Sequence, residues 1–190
     1  MGGTFDPPHL GHLIAAQSAW EQMELDEVWF LPTYHPPHKN HQVVATANQR
    51  LQMVKCCTVD HPAFRVCDVE LKTRETSYTI KTMEQLQAQY PAYEFYFIIG
   101  ADMIMYLPQW FEIEKLINMV TFVGVKRSST VIDWDALPPE IAKKVTMVSM
   151  PSIDISSTAI RERLKRGQSI QYYVHAGVNE YVKGNHIYES

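Results

Sequence analysis

The chain has 190 residues, of which 46% are hydrophobic and 20% charged, and its formal net charge is −4. This length and composition fit one globular domain, residues 1–190, with a sizeable hydrophobic core. The acidic balance weighs against a general nucleic-acid-binding protein, which usually presents a basic face, but it is compatible with a small anionic ligand held by a few cations.

Strand-like and helix-like patterns alternate along the chain. Apolar runs rich in β-branched and aromatic residues predict strands at residues 27–31, 64–69, 94–99, 120–125 and 145–150. Amphipathic patterns predict helices at residues 10–23, 46–59, 78–90, 109–118, 157–165 and about 173–182. This alternation predicts an α/β fold, a Rossmann-like doubly wound parallel sheet with helices on both faces. Residues 133–140 are predicted to form a surface loop.

The start of the chain departs from this scheme. A doubly wound sheet begins with a central strand ahead of its first glycine-rich turn, whereas this sequence opens directly with Met1-Gly2-Gly3. We therefore expect the first strand to be truncated in this sequence and the native protein to have residues before Met1.

Cysteine content and hydropathy indicate the compartment. Cys56, Cys57 and Cys67 are an odd number without metal-site spacing, which favours reduced thiols in a cytoplasmic protein. No stretch of about 18 apolar residues is present, so we expect no membrane partner. The oligomeric state stays open, a homo-oligomer included.

The first segment with clear chemistry is residues 2–12, with the sequence GGTFDPPHLGH. Backbone N–H groups at Gly2, Gly3 and Thr4 can approach a phosphate closely. His9 and His12 are three residues apart at the start of a helix, so both rings can face one ligand beside the positive end of the helix dipole. The alternatives are a proline turn with two surface histidines, or a zinc site that lacks a third nearby ligand.

The second segment is residues 154–161, with the sequence DISSTAIR. Its hydroxyl side chains at Ser156, Ser157 and Thr158 are typical of a helix start. Cations are unfavourable in a first helical turn, so Arg161 there indicates a bound polyanion. The alternative is a capped surface helix whose arginine pairs with a glutamate.

Two further groups follow predicted strands. Gly100 and Asp102 come directly after the strand ending at residue 99, where an acid can accept hydrogen bonds from ribose hydroxyls. Trp110 and Phe111 offer a flat aromatic surface, although aromatics at such positions also serve as core.

The loop after the second strand is polar. Lys39 lies there and could reach a phosphate at the carboxyl edge of the sheet. Nearby His35, His38 and His41 could instead form a metal cluster, although a polar loop is the simpler interpretation.

The two end segments resemble the signatures of the nucleotidylyltransferase superfamily, His/Thr-x-Gly-His and Ile-Ser-Ser-Thr-x-x-Arg. With Ser77-Tyr78-Thr79 and Trp110-Phe111, the chain from Gly2 to its C-terminal residues 188–190 is similar to bacterial nicotinate-mononucleotide adenylyltransferases. That family often has tyrosine at the position of Phe111. The resemblance implies an enzyme of NAD biosynthesis that condenses ATP with nicotinate mononucleotide to give deamido-NAD and pyrophosphate.

The resemblance also implies site roles. His12, His9 and Arg161 would be catalytic. ATP would contact Gly2, Gly3, Thr4, Phe5, Gly100, Asp102, Ser156, Ser157 and Thr158. The mononucleotide would contact Lys39, Thr79, Trp110 and Phe111. Mg²⁺ would arrive with ATP, held by phosphates and water rather than by a protein cage. Rival interpretations are a phosphopantetheine adenylyltransferase, which shares both end signatures, a non-catalytic nucleotide-binding regulatory module, and a histidine-rich metal-binding protein.

Overall fold

The structure is a computed structural model that describes residues 1–35, 43–73, 75–126 and 131–189. Within these ranges the strands are β1 Gly2–Gly3, β2 Val28–Pro32, β3 Phe64–Val66, β4 Tyr96–Gly100, β5 Thr121–Lys126 and β6 Val145–Ser149. The α-helices are α1 Leu10–Gln22, α2 Ala47–Thr58, α3 Val69–Thr73, α4 Thr79–Gln89, α5 Ile113–Leu116, α6 Pro139–Ala142, α7 Ser157–Lys165 and α8 Ala176–Gly184. Two 3₁₀-helices span Ala101–Gln109 and Trp134–Ala136.

The strands of the described residues pair in parallel, in two sheets ordered β1-β2-β3 and β4-β5-β6. The sheets meet at β1 and β4, where Gly2 lies so close to the Phe97 ring that a Cβ on Gly2 would be 3.2 Å from Phe97 Cζ. The spatial order is therefore 3-2-1-4-5-6, with the order reversing between β1 and β4. This is the doubly wound arrangement that the sequence predicted.

Side chains alternate across the strands and fill a core on each face. Phe30, Ile98 and Val123 pack against helix α1 and Val54 of α2. Their neighbours on the other face pack against α4, α5 and the first 3₁₀-helix: Leu31, Phe97, Ile99 and Phe122. A third cluster joins α2 to α7 and α8. Helices therefore cover both faces, as the nearly continuous apolar strands require.

Three predicted segments were wrong in detail. Of the helix expected at 109–118, only α5, Ile113–Leu116, is α-helical. Gln109 is the last residue of the first 3₁₀-helix, and the left-handed φ of 52° at Glu112, which no regular helix allows, separates that helix from α5. The strand expected at 64–69 ends at Val66 because the Asp68 carbonyl already accepts the N–H groups that start α3. The loop expected at 133–140 contains a 3₁₀ turn and the first residues of α6.

The first strand is short. Gly2–Gly3 pairs with Leu31 and Pro32, whereas β2 and β4 each have five residues. A cavity of about 640 Å³ opens between the amino-terminal parts of β2 and β4, with Met1, Trp29 and Phe95 in its walls. The residues with phosphate chemistry lie at the opposite, carboxyl edge of the sheet, and we place the candidate site there.

The cysteines are free thiols. Burial raises the pKa of Cys57 to about 12, so this thiol is inert. Across the described residues, no helix is both long enough and apolar enough to cross a bilayer.

Candidate active site

The candidate site lies where the strand order reverses. The turn after β1, residues 4–9, and Gly100 at the end of β4 both leave the carboxyl edge of the sheet at this point. Open parallel sheets bind ligands in the crevice outside such a reversal, because the connections on either side run to opposite faces. The topology therefore brings the first motif and Asp102 to one crevice.

Phe5 fixes the shape of the turn after β1. It has a left-handed φ of 52°, and its buried ring lies 5.1 Å from the His12 ring and 5.9 Å from the Phe30 ring. A Cβ on Gly3 would be only 2.9 Å from Phe5 Cζ. The close approach of the Gly3 backbone to this ring therefore requires glycine, and the ring in turn supports His12.

Replacing Gly3 with alanine should displace the Phe5 ring. We expect Gly3→Ala to destabilise the protein by about 1–3 kcal/mol, the usual cost of overpacking, and to lower turnover because His12 rests on that ring. Gly184→Ala is the matched control, because a Cβ there meets nothing within 4 Å. Thermal unfolding and steady-state rates of both variants check this prediction. Equal stability of the two would contradict it.

His9 and His12 form a stacked pair at the start of α1. Their ring centroids are 3.7 Å apart, with 28° between the ring planes, and His9 is 5% exposed. The backbone N–H of His9 donates to His12 Nδ1 at 3.1 Å. Since Nδ1 accepts this bond, the proton of the neutral His12 ring lies on Nε2. The local fold therefore selects the tautomer whose Nε2–H is a donor.

The second motif docks directly on the first. Ser157 Oγ donates to the carbonyl of Pro7 at 2.8 Å, and Arg161 Nη1 donates to the carbonyl of Asp6 at 2.8 Å. These bonds join positions 150 and 155 residues apart in sequence. The two signatures are thus in direct contact, and the alternative of a surface helix with a glutamate-paired arginine is wrong, because the acidic neighbour of Arg161 is Asp6.

Helix α7 begins in the way that its hydroxyl side chains indicate. Ser156 caps it by accepting the N–H of Ala159 at 3.1 Å, and Thr158 Oγ1 accepts a bond from Arg161 Nη2 at 3.3 Å. The first turn contains no acidic side chain. The positive end of this nine-residue helix and the Arg161 guanidinium therefore adjoin the turn that contains His9.

Gly100 and Asp102 lie at the end of β4, as predicted. Both are exposed, and a Cβ on Gly100 would be 2.5 Å from Asp102 Oδ1. The carboxylate therefore folds back over the backbone of Gly100, where it remains open to a ligand hydroxyl.

Phe111 contacts the residue that precedes Thr79. Thr79 is the first residue of α4, and the ring of the preceding Tyr78 lies 4.8 Å from the half-exposed Phe111 ring. Trp110 packs edge-on against Phe97 and Phe122, with 5.9 Å between the ring centroids in both pairs. The structure thus gives Trp110 a core contact as well as its position beside Phe111.

The segment before α4 is anchored to the end of β2. Ser77 accepts the N–H of Tyr34 on Oγ at 3.0 Å and donates its own N–H to the carbonyl of His35 at 2.9 Å. Glu70 accepts the Thr82 hydroxyl at 2.9 Å, and burial raises the pKa of its carboxyl. These bonds fix Tyr78 and Thr79 relative to the carboxyl edge of β2.

Some predicted residues lie outside the described ranges. These are Lys39 and, of the three loop histidines, His38 and His41. His35 is described, and its ring contacts Tyr34 at 4.5 Å. In the part of the chain that the structure describes, no group of three histidine, cysteine or acidic side chains is arranged to hold a metal ion.

The structure adds three buried residues to which the sequence analysis gave no role: Asp6, Arg50 and Tyr188. Arg50 is 1% exposed and donates to the carbonyls of Thr4 at 2.9 Å and Thr33 at 2.6 Å, so it joins the phosphate turn to the end of β2. In the sequence, Arg50 could be recognised as a charged residue on the apolar face of the predicted helix 46–59. Asp6 was visible only as part of its motif.

Comparison with known proteins agrees with this geometry. The family model described as cytidylyltransferase-like matches residues 1–163. A probable nicotinate-nucleotide adenylyltransferase of Geobacillus kaustophilus is 45% identical over 188 residues, which are 99% of this chain and 84% of that protein. A protein of the same name from Bacillus cereus strain B4264 is 42% identical over 190 residues, or 100% and 97% of the two chains. The chain belongs to the cytidylyltransferase-like family, in its nicotinate-nucleotide adenylyltransferase branch.

Solved structures agree on the fold of this adenylyltransferase-family chain. Plasmodium falciparum nicotinic acid mononucleotide adenylyltransferase complexed with NaAD has a TM-score of 0.77 at 23% identity, covering 99% of this chain and 95% of that one. The same enzyme complexed with APC has a TM-score of 0.78 at 21% identity, with coverage of 99% and 94%. The predicted Rossmann-like fold and the family resemblance are both confirmed.

Proposed function

We propose that this chain transfers the adenylyl group of ATP to nicotinate mononucleotide, giving deamido-NAD and pyrophosphate in NAD biosynthesis. The observation that supports this most strongly is the docking of Arg161 and Ser157 on the turn at Asp6 and Pro7. The two proposed phosphate-binding elements are in direct contact, which supports the binding of one triphosphate by both. The names of the full-length relatives supply the substrate class.

The proposed chemistry is an in-line displacement at the α-phosphorus of ATP. The 5′-phosphate of the mononucleotide attacks, a P–O bond forms, and the bond to pyrophosphate breaks with its electron pair leaving on the departing oxygen. A phosphate monoester has a second pKa near 6, so the nucleophile is ionised at neutral pH without a general base. Rate enhancement then comes from positioning and charge stabilisation.

Each element has a part in this scheme. His12 Nε2–H donates to the α-phosphate as negative charge develops, and His9 and Thr4 hold phosphate oxygens. The start of α7 holds the β- and γ-phosphates through Ser156, Ser157, Thr158 and Arg161. The Asp102 carboxylate accepts hydrogen bonds from the ribose hydroxyls of ATP. The backbone around the nucleotide is shaped by Gly2, Gly3, Phe5 and Gly100.

The mononucleotide occupies the other end of the crevice. Thr79 and the backbone at Phe111 contact the nicotinate carboxylate, Trp110 contacts the pyridine ring, and Lys39 binds the 5′-phosphate. The family often has tyrosine at the position of Phe111. The proposed contact uses the backbone N–H, so the missing tyrosine hydroxyl does not affect it. The exposed Phe111 ring beside Tyr78 supports this placement.

Nucleotidyltransferases of this family typically use a divalent metal ion. We propose Mg²⁺, bound mainly through ATP phosphates and water, as is usual for this ion at nucleotide sites. When bound, Mg²⁺ would neutralise charge on the triphosphate. The three free thiols fit a cytoplasmic enzyme.

An assay with each mononucleotide separately tests the proposal. With ATP and nicotinate mononucleotide we expect deamido-NAD and pyrophosphate in equal amounts. With nicotinamide mononucleotide we expect a much lower kcat/KM, because a site whose donors suit a carboxylate is poorly matched to an amide. Equal rates with both would contradict the acid-specific interpretation alone. Activity with phosphopantetheine, together with no activity on either mononucleotide, would contradict the proposed function.

A further inference from the structure

Asp6 lies inside the first motif and is buried, with 4% of its surface exposed. A carboxylate in such a motif could be a metal ligand or a general base. Burying a carboxylate is costly unless its oxygens receive hydrogen bonds. The bonds that these two oxygens receive therefore define what Asp6 does.

Both carboxylate oxygens accept bonds from distant parts of the chain. Oδ2 accepts the N–H of Val44 at 2.9 Å, and Oδ1 accepts the N–H of Ala45 at 3.0 Å. Oδ1 also accepts the hydroxyl of Tyr188 at 2.6 Å across 182 residues. With three short bonds from protein donors, the Asp6 carboxylate is engaged as a structural acceptor.

Arg161 approaches the same residue from another side. Its Nη1 donates to the Asp6 carbonyl at 2.8 Å and lies 3.9 Å from Asp6 Oδ2, and its side chain is 18% exposed. The rotation of the Asp6 carboxylate and the position of its carbonyl therefore set where the guanidinium lies. Arg50 contributes positive charge behind the turn. Burial lowers the pKa of its guanidinium, and the nearby Asp6 carboxylate acts in the opposite direction.

Tyr188 holds this arrangement from the end of the chain. It is 4% exposed and adopts a left-handed φ of 71°, a conformation that is rare for an aromatic residue and indicates tertiary restraint. Burial and the Asp6 carboxylate both raise the pKa of the Tyr188 hydroxyl, so it remains a donor. The C-terminal segment is thereby tied to the phosphate turn.

We propose that Asp6 and Tyr188 are positioning residues that hold the phosphate turn and Arg161 in the geometry that binds the triphosphate. Neither side chain touches a reacting atom. This inference rests on the proposed function for its substrate, ATP. Its expected signature is selective: the affinity for ATP depends on the Tyr188–Asp6 bond, and the affinity for the mononucleotide does not.

Tyr188→Phe tests the bond with the least disturbance, because it removes one oxygen from a buried ring. We expect the Kd for ATP, measured by calorimetry without mononucleotide, to rise about tenfold, the scale of a lost hydrogen bond to a charged acceptor. The KM for the mononucleotide should be unchanged. Tyr181→Phe, which removes a hydroxyl from the half-buried face of α8, is the control and should leave both constants unchanged.

A double-mutant cycle tests whether Tyr188 acts through Arg161. If it does, the rise in Kd for ATP in the Tyr188→Phe/Arg161→Lys double variant will be smaller than the product of the two single effects. Multiplicative effects, or an unchanged Kd in Tyr188→Phe, would overturn the inference. Asp6→Asn should raise the Kd for ATP further, because the Nδ2 group of the asparagine would face the N–H donor of Val44 or Ala45. If Asp6→Asn does not fold, Tyr188→Phe alone decides whether the inference holds.

The readouts separate this inference from the proposed function. A wild-type chain that binds ATP but makes no deamido-NAD would refute the proposed function, and the ATP-binding cycle would still test Asp6 and Tyr188. A wild-type chain with the expected turnover and an additive cycle would refute the positioning role only.

Discussion

His12→Ala should lower kcat by about 10² to 10³ and leave the fold intact, the usual cost of losing one preorganised donor aimed at a transition state. The reason is local. The N–H of His9 holds His12 Nδ1 at 3.1 Å, so the ring presents a protonated Nε2 in a fixed direction. Steady-state kinetics with saturating ATP and nicotinate mononucleotide, together with thermal unfolding, measure the two effects separately.

His186→Asn is the control for this prediction. His186 is exposed near the end of the chain, where it pairs with Glu189, and asparagine tolerates its left-handed φ of 50°. We expect its kcat to match that of the unmodified protein. Turnover of His12→Ala within a few-fold of the unmodified chain would remove His12 from the mechanism.

Arg161→Ala should lower kcat/KM for ATP by about 10² or more, since it removes a charged donor next to the phosphate turn and its bond to the Asp6 carbonyl. Arg161→Lys should recover only part of the loss, because lysine cannot donate to the Asp6 carbonyl and to Thr158 Oγ1 with one rigid fork. Initial rates over a range of ATP concentrations check both variants.

Arg166→Ala tests whether charge alone explains the Arg161 result. Arg166 is exposed and follows α7, at the end of the helix away from the phosphate turn. Arg166→Ala removes the same formal charge as Arg161→Ala. We expect its kcat/KM for ATP to stay within about twofold of the value for the unmodified protein, because a surface charge is screened by salt. A loss in Arg166→Ala as large as that in Arg161→Ala would contradict a specific role for Arg161.

The sheet was predictable because its signal is local. Strands such as β5, with its run of aromatic and β-branched residues from Thr121, are buried on both faces and are bounded by helical patterns. Helix α2 was also predictable from its amphipathic pattern, and the structure adds a capping box of Thr46 and Gln49 at its start. The 3₁₀-helix at Ala101–Gln109 was not, because the left-handed φ at Glu112 that separates it from α5 has no sequence signature.

The sequence predicted which two segments meet at the candidate site, but not the bonds that hold them together. The sequence identified His12 and Arg161 by motif, and chain topology then brought their segments together. The bond between Tyr188 and Asp6 spans 182 residues, and no periodicity or spacing can indicate such a pair. The apolar register of its helix indicated that Arg50 is buried, but not its partners, because these are backbone carbonyls, which every residue possesses.

The direct test of the central claim is the structure of this chain with a non-hydrolysable ATP analogue and nicotinate mononucleotide bound. We expect one triphosphate to span both motifs, with the α-phosphate within hydrogen-bond distance of His12 Nε2 and the γ-phosphate at the start of α7 beside Arg161. A nucleotide bound in the cavity between Trp29 and Phe95, or one that contacts a single motif, would contradict it.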